Sequence, residues 1–175
     1  MIQTNNLQLL QWNTNHVQAL LHSKDELAAL LQVSIPIGWP QFPEAFTFPA
    51  DEKADSSRSP NEWGGYFFID TGKKALVGSG GFHGVPDESG SVEIGYEIAT
   101  EYWNRGYATA AVKQLIDFAF AYPQVMAVTA TTLGETNASN HVLQKTGMKF
   151  IDELSDPEHG KLWCYQITRD EYKQS

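Results

Sequence analysis

Between Ser91 and Leu133 the chain reads as strand, helix, strand, and this single crossover limits the possible folds more than any other feature. Ser91 to Ala99 and Val125 to Leu133 are β-rich, and an apolar-periodic run from Gly106 to about Ala121 joins them. A helical crossover returns the chain in the direction it left, so the two strands it joins are predicted to be parallel neighbours. The stretch before it has the grammar of hairpins. Tyr66 to Asp70 and Ala75 to Phe82 are joined by Thr71-Gly72-Lys73-Lys74, and a turn from Gly84 to Gly90 leads into Ser91. After it come a second helix from about Ala138 to Lys145 and two closing strands near Lys149 to Leu154 and Lys161 to Thr168. At the other end, Leu7 to Trp12 reads as a strand. Thr14 or Asn15 is the expected N-cap of a periodic run through Val17, Leu20, Leu21, Leu27, Leu30 and Leu31, forming one or two helices. The class is mixed α/β, with helices over both sheet faces.

At 175 residues, 42% apolar and 12% aromatic, the chain suits one core, so residues 1–175 are expected to form a single domain. The segment Val33 to Pro60 departs from the regular pattern. Pro36, Trp39-Pro40, Phe42-Pro43 and Phe46-Thr47-Phe48-Pro49 forbid a long helix, yet their aromatic content is too high for a solvated linker. A loop that packs on or caps something is expected there, with Trp39, Phe42, Phe46 and Phe48 as a plug or as the wall of an acceptor pocket.

Twelve basic against 21 acidic residues give a formal charge of -9, which disfavours non-specific nucleic-acid binding and suits a cationic acceptor. Cys164 is the one cysteine, so no internal disulfide is available. No signal-peptide pattern opens the sequence and no window is long and apolar enough for a membrane span. A soluble cytoplasmic protein with no membrane partner is expected, and a homodimer is compatible with this reading. His16, His22, His141 and His159 lack ligand spacing, so no metal site is expected. His83, beside a glycine turn, reads as a surface histidine, with substrate contact as the alternative.

The candidate site lies where the strand Val92 to Ala99 runs through Asn104-Arg105-Gly106 directly into a helix. The first N–H groups of a helix lack intrahelical partners and carry the positive end of its dipole, a ready site for phosphate oxygens. Gly106 and Ala108 are small enough for close approach, and Arg105 can add charge. There is no GKS or GKT. Gly78-Ser79-Gly80-Gly81 is not followed by a helix, as a dinucleotide fingerprint would require.

This loop, Trp103-Asn104-Arg105-Gly106-Tyr107-Ala108, resembles the coenzyme A pyrophosphate motif Q/R-x-x-G-x-G/A of the GCN5-related N-acetyltransferase (GNAT) family, with Trp103 at the first position. An aromatic residue there resembles the branch related to ribosomal-protein N-terminal acetyltransferases. A second match stands at the right distance: Thr136 to Phe150 resembles N-x-x-S-x-x-V-L-x-K-x-G-F/M, with Thr136 where the family has Asn. The likeness implies a mostly antiparallel sheet with a splayed strand pair. It also implies acetyl-coenzyme A as co-substrate, held by Ile98, Asn104, Arg105, Gly106, Tyr107, Ala108, Thr109 and either Asn137 or Asn140.

The same likeness implies direct attack of an unprotonated amine on a thioester, which requires a proton acceptor because amines are mostly protonated at neutral pH. Strand alternation puts Glu93, Gly95 and Glu97 on one face. Glu93 matches the family's carboxylate and is the expected base, with Glu97 as runner-up. A carboxylate that relatives carry on the next strand is Thr131 here, and their helical Tyr donor is Leu143. Ser139 is therefore the expected donor to the leaving thiolate. The acceptor is a primary amine of unknown identity, on a protein N-terminus or a small molecule. A non-catalytic acyl-coenzyme A binding module is the alternative.

Overall fold

A computed structural model describes residues 6–46 and 62–175. Phe48 and the polar stretch after it lie outside the described residues. Among the described residues, seven strands and four α-helices follow the predicted order, and a fifth helix comes after them: β1 Leu7–Gln11, α1 Thr14–His22, α2 Lys24–Leu31, β2 Gly65–Asp70, β3 Ala75–Phe82, β4 Ser91–Ile98, α3 Tyr107–Ala121, β5 Ala127–Leu133, α4 Ala138–Lys145, β6 Lys149–Asp156, β7 Gly160–Thr168 and α5 Arg169–Gln174. The strands pair in the order β1-β2-β3-β4-β5-β7-β6. The β4–β5 pair joined through α3 is parallel, as the crossover requires. Among the described residues no helix is long and apolar enough to cross a membrane.

Two compact units divide the chain: the described residues up to Gly80 with Glu97–Tyr107, and Gly81–Tyr96 with Ala108–Ser175. In the first, β1 and β2 pair antiparallel from Leu7↔Asp70 to Gln11↔Tyr66. Its core gathers Val17, Leu27, Trp39, Phe46, Phe67, Ile69, Leu76 and Ala99. The apolar-periodic run after β1 resolves into two helices. Ser23, in extended backbone, ends α1 and accepts the Glu26 N–H to start α2. The cap of α1 is Asn13, in place of the expected Thr14 or Asn15. Its side chain accepts the His16 N–H at 3.0 Å, and His16 Nδ1 accepts the Asn13 N–H at 3.2 Å. An imidazole nitrogen thus takes the place of the usual Glu of a capping box. Burial lowers the His16 pKa, which favours the neutral ring that can accept.

In the second unit α3 buries Ala111, Val112, Leu115, Ile116, Ala119 and Phe120, the stripe its periodicity announces. The parallel ladder runs from Ser91↔Ala127 to Ile94↔Ala130 and stops, although both strands continue. From Thr131 to Leu133, β5 stays paired with β7. This is the splayed pair that the family likeness implies. Helix α5 was not among the expected elements, although Thr168 and Glu171 form a capping box at its start. It docks through Tyr172, whose hydroxyl donates to Asp117 at 2.7 Å. Arg169 donates to the carbonyls of Phe120, Tyr122 and Val125, at and just beyond the end of α3.

Candidate active site

After β4 the chain makes a short 3-10 turn at Thr100–Tyr102 and enters α3 at Tyr107. The Trp103 indole N–H donates to the Ile98 carbonyl at 2.7 Å, so the residue that departs from the family motif braces the loop against the strand end. Asn104 and Gly106 adopt left-handed backbone, with φ of 57° and 81°. A Cβ built on Gly106 would meet nothing within 4 Å. The space beside the Gly106 backbone is open at the start of a 15-residue helix, and this fits a pyrophosphate. Arg105 is exposed, its guanidinium 5.5 Å from the Tyr102 ring centre.

Tyr107 is buried. Its hydroxyl donates to Asp70 Oδ2 at 2.6 Å and accepts from Lys73 Nζ at 2.6 Å. Burial pushes the Asp70 carboxyl up, but the bonds from Tyr107 and Lys73 outweigh it and hold the pKa below the usual value. Ala108 and Thr109, half-buried, complete the first turn.

The alternation read from β4 is present: Val92, Ile94 and Ile98 are buried, while Glu93, Gly95 and Glu97 are half-buried. The two carboxylates are employed differently. Glu97 Oε2 accepts the Gln41 N–H at 2.8 Å, and Oε1 accepts the Ser79 hydroxyl at 3.2 Å. The Ser79 oxygen in turn accepts the indole N–H of the fully buried Trp39 at 3.0 Å. Burial raises the Glu97 pKa against these bonds. With both oxygens occupied, Glu97 fastens the proline-rich loop.

Glu93 lies in the second unit against His83, with Nδ1 to Oε2 at 3.6 Å, and the Thr131 hydroxyl also bonds it. The His83 contact lowers the Glu93 pKa, and the same contact raises that of His83. The His83 ring lies over Gly95, where a Cβ would stand 2.7 Å from Nε2. His83 is exposed, as expected beside a glycine turn, but no local pattern in the sequence pairs residues 83 and 93. The turn Gly84 to Gly90 between them was the signal that could have done so.

At the start of α4, Asn137 accepts the Asn140 N–H at 3.1 Å and Asn140 accepts the Asn137 N–H at 2.8 Å. The buried Asn140 also donates to Thr132 Oγ1 at 2.8 Å, tying the helix to β5. Ser139 is half-buried in the same turn, and its carbonyl accepts the Tyr96 hydroxyl at 3.5 Å. Burial pushes the Tyr96 phenol up to about 12, so it stays protonated. Tyr96 was missed because it sits on the opposite face of β4 from the glutamates. Leu143, in the place of the family's Tyr, is fully buried.

The acetyltransferase (GNAT) domain family model matches residues 6–149. An uncharacterized N-acetyltransferase of Bacillus subtilis (strain 168), YoaA, is 32% identical over 76 residues, 43% of this chain and 43% of that protein. The chain spans about half the length of the curated relatives it matches. Mycobacterium smegmatis RimJ in complex with CoA-disulfide aligns at TM-score 0.55 and 26% identity, over 63% of this chain and 56% of that one. A spermidine N-acetyltransferase SpeG chimera from Vibrio cholerae and hSSAT shares the fold at TM-score 0.66 and 14% identity, over 98% of this chain and 100% of that one. With a family match that extends from β1 to the start of β6, and with the opened parallel ladder and strand-to-helix loop both in place, the chain belongs to the acetyltransferase (GNAT) domain family.

Proposed function

We propose that this chain is an acetyl-coenzyme A-dependent N-acetyltransferase acting on a primary amine, as a single domain in the cytoplasm. The observation that carries the reading is the β4–β5 ladder opening directly after Ile94↔Ala130, with Glu93 one residue from its last pair. Strand edges that leave a ladder offer N–H and C=O groups to a ligand's amides. The likeness to RimJ, solved with CoA-disulfide, supports coenzyme A as the ligand. The backbone of Asn104 to Thr109 with Arg105 would hold the pyrophosphate, and the Ile98 N–H would face the thioester oxygen.

Bound acetyl-coenzyme A supplies the acetyl group as an activated thioester. The protein's own task is to take a proton from the acceptor ammonium, and this falls to Glu93 and the groups bonded to it. Ser139 and the neutral Tyr96 phenol are the O–H donors at the head of α4. A net charge of -9 suits a cationic acceptor, either a protein N-terminus or a small amine, rather than a nucleic acid or an anionic membrane.

The test is to incubate the purified protein with acetyl-coenzyme A and a mixed library of amines and peptides, and to identify products by mass. An acetylated amine that depends on the protein is expected. Acetyl-coenzyme A should also raise the melting temperature in proportion to its binding. Ligand-dependent stabilisation with no product across the library would leave a binding module and overturn the transferase reading.

A further inference from the structure

The proton acceptor can be located more narrowly from the groups around Glu93. His83 Nδ1 faces Glu93 Oε2 at 3.6 Å, and the Thr131 hydroxyl also bonds the carboxylate. The other ring nitrogen, Nε2, lies over Gly95, the first residue of β4 beyond the last β4–β5 pair. That position is open only because residue 95 has no side chain. The ring is 60% exposed, so an acceptor arriving from water can reach it and a proton can leave it. We propose that Nε2 of His83 takes the proton from the acceptor ammonium, and that Glu93 is a positioning residue that orients the ring through Nδ1–H; this deepens, and rests on, the acetyltransferase reading.

The step balances simply. An N–H bond of the ammonium breaks, its electron pair stays on nitrogen as the nucleophile, and the proton bonds to Nε2 before passing to bulk water. The opposed effects within the pair support this division of labour. A carboxylate whose pKa is lowered by His83 and Thr131 is a poorer proton acceptor, whereas an imidazole whose pKa is raised by a neighbouring carboxylate is a better one. Among the described residues, Glu93 is the charged group set against His83, and Thr131 on β5 does not titrate.

Two measurements test the proposal together: the pH profile of kcat/KM on an acceptor found in the library, and the His83 imidazole titration by proton NMR in the free protein. In the unsubstituted protein, the rate should fall as pH drops through the His83 pKa seen by NMR. His83→Gln should lower kcat by about 100-fold or more with unchanged acetyl-coenzyme A affinity, and the acidic limb should vanish. Glu93→Gln should move the NMR pKa and the limb down together, since the carboxylate is what raises both. Gly95→Ala should displace the ring, an exposed and flexible group, and depress the rate in a folded protein that binds acetyl-coenzyme A normally. An active His83→Gln protein that keeps the limb at the same pH would overturn the proposal while leaving the transferase reading intact. An unsubstituted protein that acetylates nothing would sink both.

Discussion

Two loops of the first unit look alike in sequence, each an irregular segment rich in aromatic residues, yet they are built for opposite ends. In the segment from Pro36 to Phe46, Trp39 and Phe46 are buried in the core, and the loop is fastened by Glu97 through Gln41 and by Trp39 through Ser79. Between Tyr102 and Tyr107 the aromatic residues are braces, and the backbone between them is exposed, with two left-handed residues and open space above Gly106. Buried aromatics with satisfied polar atoms make structure, while exposed backbone at a helix start makes a binding surface. The aromatic content of a loop does not tell these apart; the partners of its polar atoms do.

The sharpest way to break the comparison is Trp39→Ala. Removing a fully buried indole that also bonds Ser79 should cost about 3 to 5 kcal/mol in urea or thermal unfolding, and leave the acceptor ratio of the folded fraction unchanged. A shifted acceptor preference with little loss of stability would return this loop to the pocket wall. Gly106→Val should act in reverse. Lost phosphate contact should weaken acetyl-coenzyme A binding about tenfold or more in calorimetry, while left-handed backbone strain costs about 1 to 2 kcal/mol of stability. Unchanged affinity in the folded variant would remove the cradle.

Tyr107→Phe sits between the two. It strips a partner from the buried Asp70, so about 1 to 2 kcal/mol should be lost at neutral pH with little change in coenzyme affinity. Its pH dependence has a definite sign. Asp70 is held below its unfolded value, so its contribution is present above that value, near 3.8, and is lost as pH falls through the folded pKa. The difference between variant and parent should shrink on acidification, and a constant difference would mean that Asp70 is not the group involved. The smallest change is expected from Phe42→Ala. At 54% exposure its removal should move stability by less than about 0.5 kcal/mol, and comparing kcat/KM on two acceptors asks whether any aromatic of this loop meets substrate.

By itself the sequence determined what depends on neighbours along the chain. Apolar period placed α3 and α4 to within a residue, turn residues placed the β2–β3 hairpin, and one helical crossover required the parallel pair. The open backbone at Gly106 was also legible, because a glycine at a strand-to-helix junction is a local feature. Alternation correctly put Glu93 and Glu97 on one face of β4, but it could not assign their work, because a strand's period says which side a residue faces and nothing of what covers that side. Only the tertiary structure set Gln41 against Glu97 across 56 residues and Asp70 against Tyr107 across 37, occupying groups that looked free for catalysis or binding. It also laid the His83 ring over Gly95 beside Glu93, turning a surface histidine and a single glutamate into a pair. Hydrogen bonds and burial decide a carboxylate's proton affinity, and both come from segments distant in sequence.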